Sequence, residues 1–137
     1  MALTVPLDFA SKNFKWSELE CKCGCGTRFV AGRAIDSLQK LRDFLGLPFV
    51  ILSAARCSKH NWDVGGAANS KHLSYKGKTA EGATYIRYST AFDIALVGGI
   101  TRDALITAAK KFGFNGIGSY PTFVHIDLRD VPGFWRG

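Results

Sequence analysis

The stretch FVHIDLR, residues 123–129, constrains the fold more than any other part of the chain. Its strict alternation places Val124, Ile126 and Leu128 on one side of an extended strand. The other side carries an imidazole and a carboxylate, His125 and Asp127. A sheet buries the first set of side chains. The stretch therefore predicts a strand that has core residues on one face and chemically active residues on the other.

Two helices and two further strands are predicted around this segment. Apolar residues at helical spacing predict a helix over 33–45, and Thr101 can cap a second helix that ends near Gly113. The β-branched and aromatic residues of 48–54 and the alternation of 89–96 predict strands. We expect a compact α+β domain with a small antiparallel sheet, helices packed on one face and a functional site on its open face.

The composition is that of a soluble globular protein, and no apolar run approaches the roughly 20 residues needed to cross a bilayer. Residues 1–137 are expected to form a single domain and to act as a monomer. The N-terminal segment shows no secretory signal, so we expect synthesis in a cytoplasm and delivery by another route. The net charge of +7 favours polyanionic surroundings, but the basic residues are too scattered to select one kind of partner.

Three of the four cysteines alternate in CKCGC, at Cys21, Cys23 and Cys25, and Cys57 lies far along the chain. This alternation differs from the CxxC spacing that is common in structural zinc sites. Three alternatives stay open: a reduced or partly paired structural cluster, a disulfide between this turn and Cys57, or a structural zinc ion. The zinc ion is the least favoured of the three.

Three further residues have the chemistry of a catalytic metal site. Asp93 and His125 lie on the faces of their predicted strands that point away from the core, and His72 lies in a long polar segment before them. Two imidazoles and one carboxylate, with water in the fourth position, are a ligand set of catalytic zinc. Each residue also has an ordinary alternative, such as a loop histidine or a hydrogen-bonded pair of His125 with Asp127. Spacing alone leaves the two interpretations evenly balanced.

A family resemblance is carried by three segments together: ILSAARCSKHNWDVGGAANSKHL, STAFDIAL and SYPTFVHIDLR. They resemble the zinc D-Ala-D-Ala carboxypeptidase and endolysin peptidase family, which cleaves peptidoglycan peptides and is related to the hedgehog signalling-domain fold. The small phage-type branch is the most similar. The resemblance runs from about Phe14 to Arg129, and it is the combined pattern that is specific.

The resemblance implies roles for five residues. His72, Asp93 and His125 are expected to hold one catalytic zinc ion. Arg56 is expected to bind a substrate carboxylate or carbonyl, because its planar guanidinium pairs with a carboxylate through two hydrogen bonds. Ser70, two residues before the first ligand, is expected to orient that ligand or to touch the substrate.

The chain departs from the family pattern in two places. Residues 73–88 are a long insertion between the first two ligands, which is either a flap over the site or a loop with no part in binding. Several relatives place an acid three residues before the last zinc histidine, where this chain has Thr122. Asp127 is the nearest replacement, either as the catalytic base or as a hydrogen-bond partner of His125. His60 is a second candidate, as an acid or as a stabiliser of the oxyanion.

The sequence therefore predicts a zinc peptidase that hydrolyses an amide bond in peptidoglycan stem or cross-link peptides, in a phage-type role at the cell wall. The alternative is a zinc-containing module of the same fold that binds wall or protein without turnover, favoured by Thr122. A nucleic-acid binder is disfavoured, because no tract of interleaved aromatic and basic residues is present.

Overall fold

A computed structural model describes residues 5–137 of the chain. Residues 1–4 lie outside the described residues. They are the start of the N-terminal segment in which the sequence shows no secretory signal. The elements in chain order are β1 (Phe9–Ser11), β2 (Phe14–Lys15), α1 (Trp16–Leu19), α2 (Gly32–Leu45), β3 (Ile51–Ser53), α3 (Ser58–Asp63), β4 (Tyr75–Lys78), β5 (Thr84–Arg87), β6 (Ala91–Ala95), α4 (Arg102–Lys111), β7 (Gly116–Ser119), β8 (Phe123–Asp127) and β9 (Gly133–Arg136).

A five-stranded sheet of order β3-β6-β8-β7-β9 forms the centre of the molecule. The first four strands pair antiparallel, as predicted, but β9 pairs in parallel with β7. The sheet is therefore mixed rather than wholly antiparallel. Strands β7 and β9 were not predicted, because the glycine-rich sequence of β7 has the composition of a turn. The predicted α+β class is confirmed.

Helices α2 and α4 cover the face of the sheet that the alternation assigns to the core. Buried Leu38 and Leu105, one from each helix, join the core that contains Ile94 and Val124 of the sheet. The Thr101 hydroxyl accepts a hydrogen bond from the Ala104 amide and so caps α4, as predicted. The helices pack on one face, and the opposite face of β6 and β8 carries the polar side chains.

The long polar segment between Arg56 and Ser89 contains α3 and a hairpin made of β4 and β5. The hairpin lies beside the N-terminal part of the chain. The Lys76 ammonium stands 5.8 Å from the Phe29 ring centre, and the rings of Phe29 and Tyr88 meet edge to face. Residues 73–88 also contact the cavity wall, where Arg87 donates to the Ser70 carbonyl at 3.1 Å, and their two proposed roles stay predictions.

Among residues 5–137, no helix combines the length and the apolar character that crossing a membrane requires.

Candidate metal centre

The register of β6 against β8 brings two predicted ligands together. Asp93 pairs directly with His125 across the two antiparallel strands. Both side chains point away from the helix-covered face, because their neighbours Ile94 and Val124 occupy it. His72 arrives from the segment after α3, whose backbone is fixed by a hydrogen bond of 2.8 Å from the Arg56 amide to the His72 carbonyl.

The three predicted ligand atoms form a nearly equilateral triangle. His72 Nε2 lies 3.1 Å from Asp93 Oδ1 and 3.2 Å from His125 Nδ1, and the last two atoms are 3.0 Å apart. Zinc bonds to nitrogen and oxygen are about 2.0–2.1 Å long, so tetrahedral ligands stand about 3.3 Å apart. The triangle therefore fits a single metal ion with one coordination position left over, and a cavity of about 530 Å³ adjoins it.

Hydrogen bonds fix the tautomers of both histidines for metal binding. His72 Nδ1 donates to the Ala54 carbonyl at 2.7 Å, which leaves the Nε2 lone pair free. His125 Nε2 donates to Asp127 Oδ2 at 2.6 Å, which leaves Nδ1 free. Ligating histidines commonly hold their second nitrogen in this way. Both free nitrogens belong to the triangle with Asp93.

The protonation of the three ligands reflects burial and mutual contact. Burial lowers the pKa of His72 and outweighs the opposing contact with Asp93. Burial raises the pKa of Asp93, but hydrogen bonds from His125 and His72 outweigh it, so the net pKa lies well below the ordinary range. Burial lowers the pKa of His125, but the contacts with Asp127 and Asp93 raise it on balance. A carboxylate and a neutral His72 are thus ready to bind a cation.

Asp127 lies behind His125 and is fully buried. Its Oδ1 accepts from Arg129 Nε at 2.7 Å, and its Oδ2 accepts from both His125 and Arg129. Burial raises the pKa of Asp127, but these hydrogen bonds outweigh it and lower the pKa overall. Both oxygens are therefore already engaged with protein groups. Of its two predicted roles, this placement matches the hydrogen-bond partner of His125.

Arg56 is held at the edge of the triangle. Its guanidinium donates to Asn61 Oδ1 at 2.9 Å and to the Ser53 hydroxyl at 3.3 Å, and it stands 3.7 Å from Asp93 Oδ2. Burial lowers its pKa, although Asp93 partly offsets the effect. The Ser70 hydroxyl accepts from the His72 amide at 3.2 Å. Both residues also line the cavity, so both occupy positions from which a substrate can be contacted.

His60, the other predicted acid or oxyanion stabiliser, lies on α3 rather than in this cavity. It lines a smaller neighbouring cavity of about 280 Å³, together with Arg56 and Asp93. The two cavities thus share four lining residues: Arg56, Val64, Asp93 and Phe123.

A sequence model of the family described as Peptidase M15 matches residues 12–127 of the 137. The chain belongs to the peptidase M15 family. No curated protein matches the chain in a direct comparison. The match includes all three ligands of the triangle, and it confirms the predicted family, that of zinc peptidases of the D-Ala-D-Ala carboxypeptidase type.

In this M15 peptidase, one wall of the cavity is aromatic and was missed by sequence reasoning. The Trp135 ring on β9 lies 5.2 Å from the His125 ring, and its Nε1 donates to the Tyr120 hydroxyl at 2.9 Å. The Tyr120 and Phe123 rings stack at 4.5 Å. Trp135 lies beyond the end of the resemblance. The available signal was the alternation in GFWR, which puts Gly133 and Trp135 on one face.

The same M15 domain brings its four cysteines together at the start of α3, where Cys57 is the N-cap residue. All four are free thiols, and their sulfur atoms lie within 4.8 Å of one another. Of the three predicted alternatives, the disulfide to Cys57 is absent from the structure. A reduced cluster and a metal site both agree with this arrangement.

Proposed function

We propose that this M15 peptidase is a zinc-dependent enzyme that hydrolyses an amide bond in peptidoglycan stem or cross-link peptides. The observation that carries the proposal is the triangle of His72, Asp93 and His125, with both free histidine nitrogens directed at one point beside the cavity. Membership of the M15 family supports both the metal and the class of substrate.

Side chains of the protein orient the metal ligands and bind the substrate. When bound, zinc supplies Lewis acidity toward a water molecule and a scissile carbonyl. Asp127, held by Arg129, keeps His125 in the ligating tautomer and orientation. Arg56 binds a carboxylate or carbonyl of the peptide beside the triangle, because its guanidinium faces the cavity while Asn61 and Ser53 hold it.

We assign proton transfer to His60 in preference to Asp127. A general base must reach the reacting proton, and both Asp127 oxygens are engaged and buried. His60 is the one histidine of the chain outside the triangle, and it shares a cavity with Arg56 and Asp93. His60→Ala should lower kcat while zinc content stays unchanged. An unchanged kcat would return the role to Asp127.

The place of action is also part of the proposal. We propose a phage-type role in which the protein reaches the wall from the cytoplasm through a route provided by other proteins. The net charge of +7 supports this, because anionic wall polymers attract a cationic protein.

The test is digestion of purified peptidoglycan by the zinc-loaded protein, followed by mass spectrometry of the muropeptides. New amino groups should appear, and the fragments identify the bond: released D-alanine indicates a carboxypeptidase, and separated cross-links indicate an endopeptidase. His125→Ala serves as the control and should release nothing. Intact muropeptides after incubation with the zinc-loaded wild type would refute the peptidase.

One observation favours the alternative, a wall-binding module without turnover. Asp93, itself a predicted metal ligand, is the single acidic residue among the described residues that line the cavity, and Thr122 stands where relatives have an acid. For this alternative, the zinc-loaded protein should sediment with peptidoglycan and release no amino groups. The same digestion therefore separates the two functions.

A further inference from the structure

The four cysteines form a compact cluster that the peptidase chemistry does not use. Cys21 Sγ lies 3.4 Å from Cys23 Sγ, and Cys23 Sγ lies 3.8 Å from Cys57 Sγ. Together with Cys25, all four sulfurs fall within 4.8 Å of one another. Cys23 and Cys57 are 34 residues apart in sequence, so the fold itself creates the cluster.

The backbone of the CKCGCG turn is shaped to bring alternate cysteines together. In a strand, such residues point the same way with Cα atoms about 6.6 Å apart, which spreads their sulfurs along a line. Here Gly24 and Gly26 adopt φ values of 87° and 82°, which residues with a side chain rarely adopt. The Cys21 amide closes the turn by donating to the Thr27 carbonyl at 2.7 Å.

Backbone amides point at two of the sulfur atoms. The Cys57 amide donates to Cys21 Sγ at 3.4 Å, and the His60 amide donates to Cys57 Sγ at 3.3 Å. Hydrogen bonds of this kind stabilise thiolates, which are the form of cysteine that binds metal. They are independent of the sulfur–sulfur distances, and they show that the surrounding backbone is arranged around the cluster.

The spacing of the sulfurs matches tetrahedral coordination. A zinc–sulfur bond is about 2.3 Å long, so the sulfurs of a tetrahedral four-cysteine site stand about 3.8 Å apart. Two of the sulfur–sulfur separations, 3.4 and 3.8 Å, lie close to that value, and every other separation is at most 4.8 Å. Four thiolates are soft ligands, which select zinc over calcium or magnesium.

We propose that Cys21, Cys23, Cys25 and Cys57 bind a second zinc ion, which is structural. Four cysteines fill every position of a tetrahedral ion and leave none open for a substrate. The ion joins the N-terminal turn to the first turn of α3, because Cys57 is the N-cap residue of that helix. Arg56 is the preceding residue, so the ion also anchors the backbone next to the guanidinium that faces Asp93.

The experiment measures zinc per chain by plasma mass spectrometry, in protein purified under reducing conditions with zinc present. The wild type should hold two ions, and His72→Ala/His125→Ala should hold one. Cys23→Ser/Cys25→Ser should also hold one, because two of its four sulfur ligands are lost. Lys22→Ser, an exposed change within the same turn, is the matched control and should hold two.

A second measurement keeps the cysteines intact, in case the serine variant fails to fold. Cobalt loaded into His72→Ala/His125→Ala should give intense sulfur-to-cobalt charge-transfer bands, and its thiols should react with a thiol reagent only after chelation. One zinc ion per wild-type chain, lost entirely in the histidine variant, would overturn the proposal. Freely reactive thiols or cysteine pairs linked by disulfides in the zinc-loaded protein would also overturn it. None of these readouts depends on hydrolysis, so failure of the peptidase function leaves them unaffected.

Discussion

Two residues that do not touch the proposed metal determine how one of its ligands is presented. Arg129 donates to both oxygens of Asp127, and Asp127 accepts from His125 Nε2. These hydrogen bonds hold the Arg129–Asp127 ion pair behind His125, at the back of the triangle. Its value lies in fixing which nitrogen of His125 carries the proton, since only the other nitrogen can bind a cation.

Asp127→Asn tests whether Asp127 orients the ligand or performs chemistry. If it orients His125, the amide oxygen accepts more weakly and zinc affinity should fall by about 10–100-fold. Competition with a fluorescent chelator measures this affinity, and Asn61→Ala is a control that leaves the triangle intact. Unchanged zinc affinity with a large loss of kcat would instead identify Asp127 as the base.

Arg129→Gln should destabilise the protein in a pH-dependent manner. The folded-state pKa of Asp127 is lowered, mainly by Arg129 once burial is overcome, so the ion pair stabilises the fold above the ordinary aspartate pKa of about 3.9. That contribution is lost as the pH falls through the lower folded value. We expect a loss of roughly 2 kcal/mol at pH 7 that shrinks below about pH 4.

Urea denaturation at a series of pH values measures this difference, and Arg129→Lys, which keeps the charge, should lose less stability. A difference between wild type and Arg129→Gln that does not change with pH would contradict the ion-pair explanation.

At the scale of elements, β7 supports the site by placing glycine at the two positions that pair with Asp127 and His125. A Cβ atom on Gly116 would collide with Asp127 Oδ1 and Arg129 Nε, and one on Gly118 would collide with the Trp135 ring. The side chains of Asp127, Arg129 and Trp135 therefore occupy the space that side chains at positions 116 and 118 would need. The glycines of β7 lower its strand propensity, and the cost is offset by packing from both neighbours.

Gly116→Ala should therefore disturb the Asp127–Arg129 pair. We expect a loss of about 1–3 kcal/mol in the free energy of unfolding, because the added methyl group overpacks a buried region. Gly32→Ala is the matched control. Gly32 lies in the first turn of α2 with open space around it, so alanine should be neutral or slightly stabilising there. Equal effects of the two substitutions in urea denaturation would argue against the steric explanation.

At the scale of the whole molecule, the triangle joins parts of the chain that are distant in sequence. His72 lies 21 residues from Asp93 and 53 residues from His125. A cation bound by all three residues therefore stabilises the folded state, because the unfolded chain does not present them together.

Removal of the metal should lower the melting temperature of the wild type, and added zinc should restore it. At a free zinc concentration 100 times the Kd, binding contributes about 2.7 kcal/mol per site. Differential scanning fluorimetry with and without chelator measures the shift. His72→Ala/His125→Ala is the control and should lose less on chelation, since only the cysteine cluster can respond. An equal shift in both proteins would exclude metal binding at the triangle.

The elements whose side chains repeat with a local period could be predicted from the order of residues alone. The alternation of β6 and β8 and the apolar stripes of α2 and α4 follow from backbone geometry, so they can be recognised in short windows. The resemblance then supplied His72, Asp93 and His125, because a metal site requires particular residue types in a particular order.

The support of those residues depends on the three-dimensional fold and could not be predicted. The parallel pairing of β9 with β7, the approach of Trp135 to His125 and the meeting of Cys57 with the CKCGC turn join segments that no local period connects. The hydrogen bonds from Arg129 hold Asp127 behind His125, a placement that the sequence left as one of two alternatives. Such contacts depend on the path of the whole chain, because residues far apart in sequence meet only after the core has fixed the sheet.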